Sequence, residues 1–326
     1  ALEKYGVGCA GSRFLNGTLD LHRKLEEKLA KFLKKETAIT FSTGFQTNLG
    51  IIPTLVNRGD FVIIDKLDHA SIIDACRLSF GRILKFKHND MKDLERMLKK
   101  AGDSGKLIVV DGVFSMEGDL CDLPNIVELS KKYNARILID DAHSVGILGS
   151  NGRGTAEHFG LEDEVDLIMN TFSKSFATIG GYVAGPENVI HYLRHHSRTL
   201  IFSASLPPAS LGTVLAVLDI IKNEPERREQ LWKNTEKMRK GFKDLGFDAG
   251  ESVTPIIPIR VGDFMLAFKM RKMLLDSGVF VNPVVPPAVP QGDSLIRTSF
   301  MATHTEEQLD KALKAFEIIG KELNII

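Results

Sequence analysis

Short apolar runs recur along the first two thirds of the chain, each closed by a polar residue and followed by a helix-length stretch of mixed character. The clearest are Phe61–Asp65, Leu107–Asp111, Arg136–Asp140 and Leu167–Thr171, with Ala38–Phe41 as a further strand ahead of a helical stretch from Gln46. Runs such as LIVVD and ILIDD are apolar at consecutive positions, as strands covered on both faces must be. The alternation therefore predicts an α/β fold with a mostly parallel, three-layer α/β/α sheet. Ligands gather at the carboxyl ends of the strands in such sheets. Polar residues cluster there: Asp65 and His69, Asp111 and Ser115, Asp140 and His143, Thr171 and Lys174.

A long helical region follows Pro207 and Pro208. Its apolar part, Ala209–Ile221, is interrupted by Gly212, Thr213 and Asp219 and falls short of the roughly 20 residues that cross a bilayer, so it reads as a buried helix. Its charged part, Asn223–Lys240, is expected to stop at Gly241. A smaller α+β unit comes next, with strands Ile256–Val261 and Leu295–Ser299 and a helix near Leu266–Leu275. Between them lies a loop, Asn282–Pro290, whose prolines keep it out of a sheet interior. The division falls near residue 220: a large ligand-binding domain over 1–220 and a small C-terminal domain over 221–326. Ala1–Tyr5 reads as the end of a helix whose beginning precedes Ala1, so an N-terminal segment is expected to be missing.

Lys plus Arg and Asp plus Glu both number 42, so the chain carries no basic surplus to neutralise nucleic-acid phosphates. Hydrophobic residues at 43% and charged residues at 26% belong to a folding globular chain. Cys9, Cys76 and Cys121 form no CxxC pair and suit a reducing cytoplasm. His195 and His196 are adjacent and no HExxH occurs, so no metal is expected.

Gly6–Gly11 matches GxGxxG, the dinucleotide fingerprint of NAD-dependent oxidoreductases. That fingerprint needs a strand before it and a helix opening on its last glycine, whereas here a helical tail precedes it and loop follows. The stronger constellation is Asp140-Asp141-Ala142-His143 at one strand end and Thr171-Phe172-Ser173-Lys174-Ser175 at another. A carboxylate, an imidazole and an amine would converge, as pyridoxal phosphate chemistry requires. The alternative is that Asp140 and His143 cap a helix and Lys174 is solvated. Four polar clusters at consecutive strand ends weigh towards convergence. Ser42-Thr43-Gly44-Phe45 lies at a strand-to-helix junction where backbone N–H groups can hold a phosphate, although Ser and Thr also cap helices routinely. His69 lies at a similar junction, either flat on an aromatic cofactor or as an ordinary surface histidine.

Seven segments together resemble the α-oxoamine synthases, fold-type I pyridoxal-phosphate enzymes that condense an amino acid with an acyl-CoA thioester. They are GCAGSRFLNGT at Gly8–Thr18, FSTGFQTN at Phe41–Asn48, DHASIIDACR at Asp68–Arg77, DGVFSMEGD at Asp111–Asp119, DDAHSVGILG at Asp140–Gly149, TFSKS at Thr171–Ser175 and IRTSF at Ile296–Phe300. TFSKS, FSASLPP at Phe202–Pro208 and NPVVPPAVP at Asn282–Pro290 are most similar to the branch that joins L-serine to palmitoyl-CoA at the entry to sphingolipid synthesis. The branches making 8-amino-7-oxononanoate or 2-amino-3-ketobutyrate usually carry glycine in place of Ser173.

The resemblance implies the cofactor pyridoxal 5'-phosphate (PLP). Lys174 would bind it covalently, Asp140 would pair with its pyridinium nitrogen, and His143, with Ser115 nearby, would hydrogen-bond its ring hydroxyl. His69 would stack on the ring and face the substrate, while Gly44, Phe45 and Thr171 would hold the phosphate. Ser203 would reach the phosphate from the neighbouring subunit of a homodimer with shared active sites. Arg297 would grip the substrate carboxylate, its planar fork suiting both oxygens, with a structural ion pair as the alternative. Val284, Val285, Ala288 and Val289 are the candidates for an acyl channel. The family's Asn/Tyr motif near the N-terminus is absent from this chain.

Overall fold

The computed structural model describes residues 1–326. Its strands are β1 (Thr37–Phe41), β2 (Phe61–Asp65), β3 (Arg82–Phe86), β4 (Lys106–Asp111), β5 (Arg136–Asp140), β6 (Leu167–Thr171) and β7 (Gly181–Gly185), then β8 (Ile256–Gly262), β9 (Asn282–Val284) and β10 (Ser294–Ser299). Its first helices are α1 (Leu2–Tyr5), α2 (Asp20–Phe32), α3 (Gly44–Leu55), α4 (Ala70–Leu78), α5 (Met91–Ala101), α6 (Leu123–Lys132) and α7 (Thr155–Phe159). They are followed by α8 (Glu187–His196), α9 (Arg198–Ile201), α10 (Pro208–Asn223), α11 (Pro225–Leu245), α12 (Phe264–Asp276) and α13 (Glu306–Glu322).

The chain divides into two units. One holds Ala1–Val113 and Leu120–Asn223; the other holds Glu224–Ile326 together with the excursion Phe114–Asp119, which a single cut near residue 220 does not anticipate.

In the first unit seven strands lie in the order β1-β7-β6-β5-β4-β2-β3. All neighbouring pairs are parallel except those made by β7, which runs antiparallel between β1 and β6. One face of the sheet, carrying Val62, Ile64, Val109, Leu138 and Met169, packs into a continuous core with α3, α4, α8 and α9 through Ile51, Ile72, Leu193 and Leu200. Strand residues of the opposite parity, Ile63, Ile108, Ile137 and Ile139, are buried just as completely. Both faces are therefore covered, which accounts for the unbroken apolar runs.

The second unit is a three-stranded antiparallel sheet, β8-β10-β9, packed on α11, α12 and α13 around Phe242, Ile257, Ile259, Met270, Ile296 and Phe316. Two expectations are corrected here. Asn282–Val284 is not loop but a short edge strand on β10, and Pro283 is tolerated because it sits at the sheet edge. Gly241 does not stop α11; a Cβ there would lie 2.6 Å from Leu313 Cδ1, so the glycine allows α13 to approach closely. The helix ends instead at Gly246, whose φ of +93° supplies the left-handed cap.

Ala209–Ile221 also departs from its reading as a buried helix. Leu211, Val214, Leu215 and Leu218 are buried, but Thr213 and Ala216 are exposed, so α10 covers the first unit with one face only.

Candidate functional site

Three neighbouring strands of the first unit, β2, β4 and β5, end in buried aspartates, and the loops that follow fold back onto those carboxylates. Asp65 accepts from the Leu67 and Asn89 N–H groups, Asp111 from the His69 N–H at 2.8 Å, and Asp140 from the Ala142 N–H at 3.1 Å. Asp68 completes the row by accepting from the N–H groups of Asp65 and Asp111. Burial pushes the Asp68 carboxyl well above the ordinary range and Asp111 adds to it; burial does the same to Asp111, with Asp140 adding to it. A row of acids this close cannot ionise independently.

Asp140 is 4% exposed, and its second oxygen is held by Asn48 Nδ2 at 2.8 Å. The other Asn48 proton goes to Ser71 Oγ at 2.9 Å, and Ser71 Oγ lies 2.8 Å from His69 Nδ1. His69 is the N-cap of α4, with Nδ1 accepting from the Ser71 N–H at 3.2 Å. The residue is exposed, but enough protein surrounds the ring for desolvation to lower its pKa. The Asp140 carboxylate opposes that shift and the Lys174 ammonium adds to it. Asp140 and Lys174 thus both lie close enough to His69 to act on it.

Beside them the N-terminus of α3 opens. Thr43 caps it by accepting from the Gln46 N–H at 3.1 Å, and the first-turn N–H groups of Gly44 and Phe45 point out of the helix at the positive end of its dipole. A Cβ on Gly44 would sit 2.5 Å from Thr171 Oγ1, so only glycine lets β6 approach this turn. Thr171 Oγ1 pairs with Ser173 Oγ at 2.9 Å and donates to the Gly180 carbonyl at 3.1 Å. Two free amides, two hydroxyls and a helix N-terminus make a cradle suited to a phosphate.

His143 is half-buried and Lys174 exposed, each just beyond a strand end. Ser203 lies beside α3 of its own chain, its Oγ 3.3 Å from Gln46 Nε2. In the second unit the Arg297 Nε donates to the Ser115 carbonyl at 2.6 Å. No carboxylate contacts its guanidinium, so the structural ion pair is not formed. The structure engages Ser115 through its backbone oxygen. The acyl-channel candidates are also rearranged: Val284 and Val289 are buried against Leu295, with Met116 packed on them, and Ala288 is exposed.

The glycine-rich segment is settled by its surroundings. Helix α1, not a strand, precedes Gly6, and no helix begins until Asp20. Ser12 bridges to Ala204, and Arg13 is buried in a two-pronged pair with Glu26 at 2.6 and 3.2 Å. The residues just after the segment anchor structure, and the dinucleotide reading fails. Reasoning from sequence passed over Asn48, Ser71 and Asp68, although all three lie inside quoted motifs. The available signal was Asn48 itself, an amide in the apolar run NLGII of α3.

The sequence profile of the aminotransferase class I and II family matches residues 3–316. The serine palmitoyltransferase of Bacteroides ovatus is 54% identical over the whole chain and 83% of its own length. The 8-amino-7-oxononanoate synthase of Thermoanaerobacter pseudethanolicus is 45% identical over the same extents. Among solved structures, Sphingomonas wittichii serine palmitoyltransferase superposes with a TM-score of 0.97 at 40% identity, covering the whole chain and 82% of that protein. A structure of SPT with PLP matches at the same values.

Proposed function

The chain belongs to the aminotransferase class I and II family, and on that premise we propose that it is a PLP-dependent acyltransferase condensing L-serine with palmitoyl-CoA. CO2 and CoA leave, and 3-ketodihydrosphingosine is the product. The observation that carries the reading is the hydrogen-bonded run from the buried Asp140 carboxylate through Asn48 and Ser71 to His69, next to a phosphate-sized cradle. The residues fit the cofactor: a buried carboxylate for a ring nitrogen, an exposed imidazole for a ring face, an exposed amine, and the Gly44, Phe45 and Thr171 cradle.

When bound, PLP supplies an electron sink that lets the bonds from the substrate Cα to hydrogen and to its carboxylate break. Asp140, fixed by Asn48 and Ala142, would hold a proton on the ring nitrogen, and His143 would hydrogen-bond the ring hydroxyl. Lys174 would hold the cofactor covalently and move the proton at Cα. His69 would lie against the ring and keep water from it. Arg297, whose terminal nitrogens carry no partner within the chain, binds the substrate carboxylate, and its pKa is lowered by burial. Ser203 completes the phosphate site of a neighbouring subunit, which makes the working form a homodimer. No helix is long and apolar enough to cross a membrane. The three free cysteines suit a reducing cytoplasm.

The 8-amino-7-oxononanoate synthases, at 45% identity, are the second reading, and Ser173 beside Thr171 weighs against it. The test is kcat/KM for serine, alanine and glycine with palmitoyl-, pimeloyl- and acetyl-CoA. Serine with palmitoyl-CoA should be highest. Alanine with pimeloyl-CoA, or glycine with acetyl-CoA, as the best pair would move the chain to a sister branch, and no turnover with any pair would reject the reading.

A further inference from the structure

Between Asp140 and His69 runs a chain of three hydrogen bonds whose direction is determined by chemistry. It starts at Asp140, whose second oxygen lies 2.8 Å from one terminal atom of the Asn48 amide. A carboxylate oxygen only accepts, so that atom is the nitrogen Nδ2 and not the carbonyl oxygen, which fixes an orientation that the amide's shape leaves open. The second Nδ2 proton then points to Ser71 Oγ at 2.9 Å. Ser71 Oγ therefore accepts from Asn48, and its single proton goes to the remaining acceptor within reach, His69 Nδ1 at 2.8 Å. The Ser71 N–H donates to the same nitrogen at 3.2 Å, as the α4 cap requires. Two donors converge on Nδ1, so a proton there would break both contacts and leave the Ser71 hydroxyl facing a second donor.

We infer that Asn48 and Ser71 are positioning residues that hold His69 as the neutral imidazole carrying its proton on Nε2. The relay is sheltered: Asn48 is fully buried and Ser71 nearly so. It also joins the ring-nitrogen carboxylate to the histidine across 92 and 23 residues of sequence. His69 can then donate from Nε2 and keeps no basic nitrogen free. The charged groups around it are Asp140 at the end of β5, Asp111 at its own N–H, and Lys174.

The consequence for turnover rests on the proposed function; the tautomer does not. The test is 15N spectroscopy of histidine-labelled holoenzyme, with His69 assigned by its loss in His69→Gln. Nδ1 should resonate as an unprotonated acceptor and Nε2 as N–H across roughly pH 6 to 8. Ser71→Ala should bring in the second tautomer and lower kcat/KM by about three- to tenfold, the worth of one neutral hydrogen bond. Ser71→Thr should restore both, and Asn48→Leu should loosen the tautomer by freeing the hydroxyl. A proton on Nδ1 in the wild type would overturn the inference, as would a tautomer unmoved by Ser71→Ala. If no substrate pair turns over, the spectra still decide the tautomer, so the two failures are distinguishable.

Discussion

Asp141 shares a dipeptide with Asp140 yet has a different fate, and Asp141→Asn brings the difference out. Its side chain is fully buried, accepts from the Thr155 N–H at 3.0 Å through Oδ2, and leaves Oδ1 without a partner. Burial drives its pKa up to about 6, against the pull of its contacts with Thr155 and Ser144. A carboxyl raised in the folded state stabilises fully below its unfolded value of 3.8, and that contribution is lost as pH rises through about 6. At about 1.4 kcal/mol per pH unit, the ionised side chain costs the native state roughly 3 kcal/mol at neutral pH. An asparagine keeps an acceptor for the Thr155 N–H and puts no charge into the buried site. Asp141→Asn should therefore stabilise the protein at pH 8 by up to that amount, by about half as much near pH 5, and change little only below about pH 3.5. Urea midpoints of both proteins across this range read the difference directly. A variant destabilised equally at both ends would show that Asp141 is held as a satisfied carboxylate, and the reasoning would fall.

Gly44→Ala should lower PLP affinity by about five- to 150-fold, the 1–3 kcal/mol typical of overpacking, because the new methyl meets Thr171 Oγ1 at 2.5 Å; an unchanged equilibrium titration would remove the cradle from the phosphate site. Arg13→Met should cost at most about 3–5 kcal/mol, since the buried Glu26 would keep only Thr40 and the more distant Arg194 at 3.6 Å. Burial raises the Glu26 pKa, but Arg13, Arg194 and the Thr40 N–H together outweigh it and hold the group below its ordinary value, so the wild-type stability these contacts give is lost as pH falls through that depressed value. The variant's denaturation profile should show a weaker acid limb. Diluting the protein until subunits part should release cofactor and activity together, and a fully active monomer in sedimentation would take Ser203 out of a shared site.

The strands that carry the site were legible because each is covered on both faces and closes in an aspartate, as in FVIID, LIVVD and ILID. Two others were not. Strand β3, RILKF, is an edge strand with three of its five residues exposed, so it lacks the apolar run. Strand β7, GYVAG, is framed by glycines that ordinarily mark turns, but Gly181 is small because a Cβ would meet Thr47 Oγ1 at 2.4 Å and Gly44 Cα at 2.9 Å. Lys174 and Asp140 could be placed from motif and strand end alone. Asn48 could not, because an amide in an apolar helix run marks a buried polar group without saying that its partner is Asp140, 92 residues on.

The excursion Phe114–Asp119 bears on how the protein is made. The Gly118 carbonyl accepts from Thr254 at a separation of 136 residues, and the Ser115 carbonyl accepts from Arg297 at a separation of 182. On the ribosome this short segment emerges long before the strands that receive it, while the first unit is still being completed. Such distant closures are slow to form, so the second unit should be the last part of the chain to acquire native order. A gene cut at codon 224 would yield a downstream piece lacking the carbonyl that orients Arg297 and the one that ties down Ser252 and Thr254. Supplying Phe114–Asp119 as a separate peptide, or grafting it ahead of Glu224, is the minimum such a fragment needs.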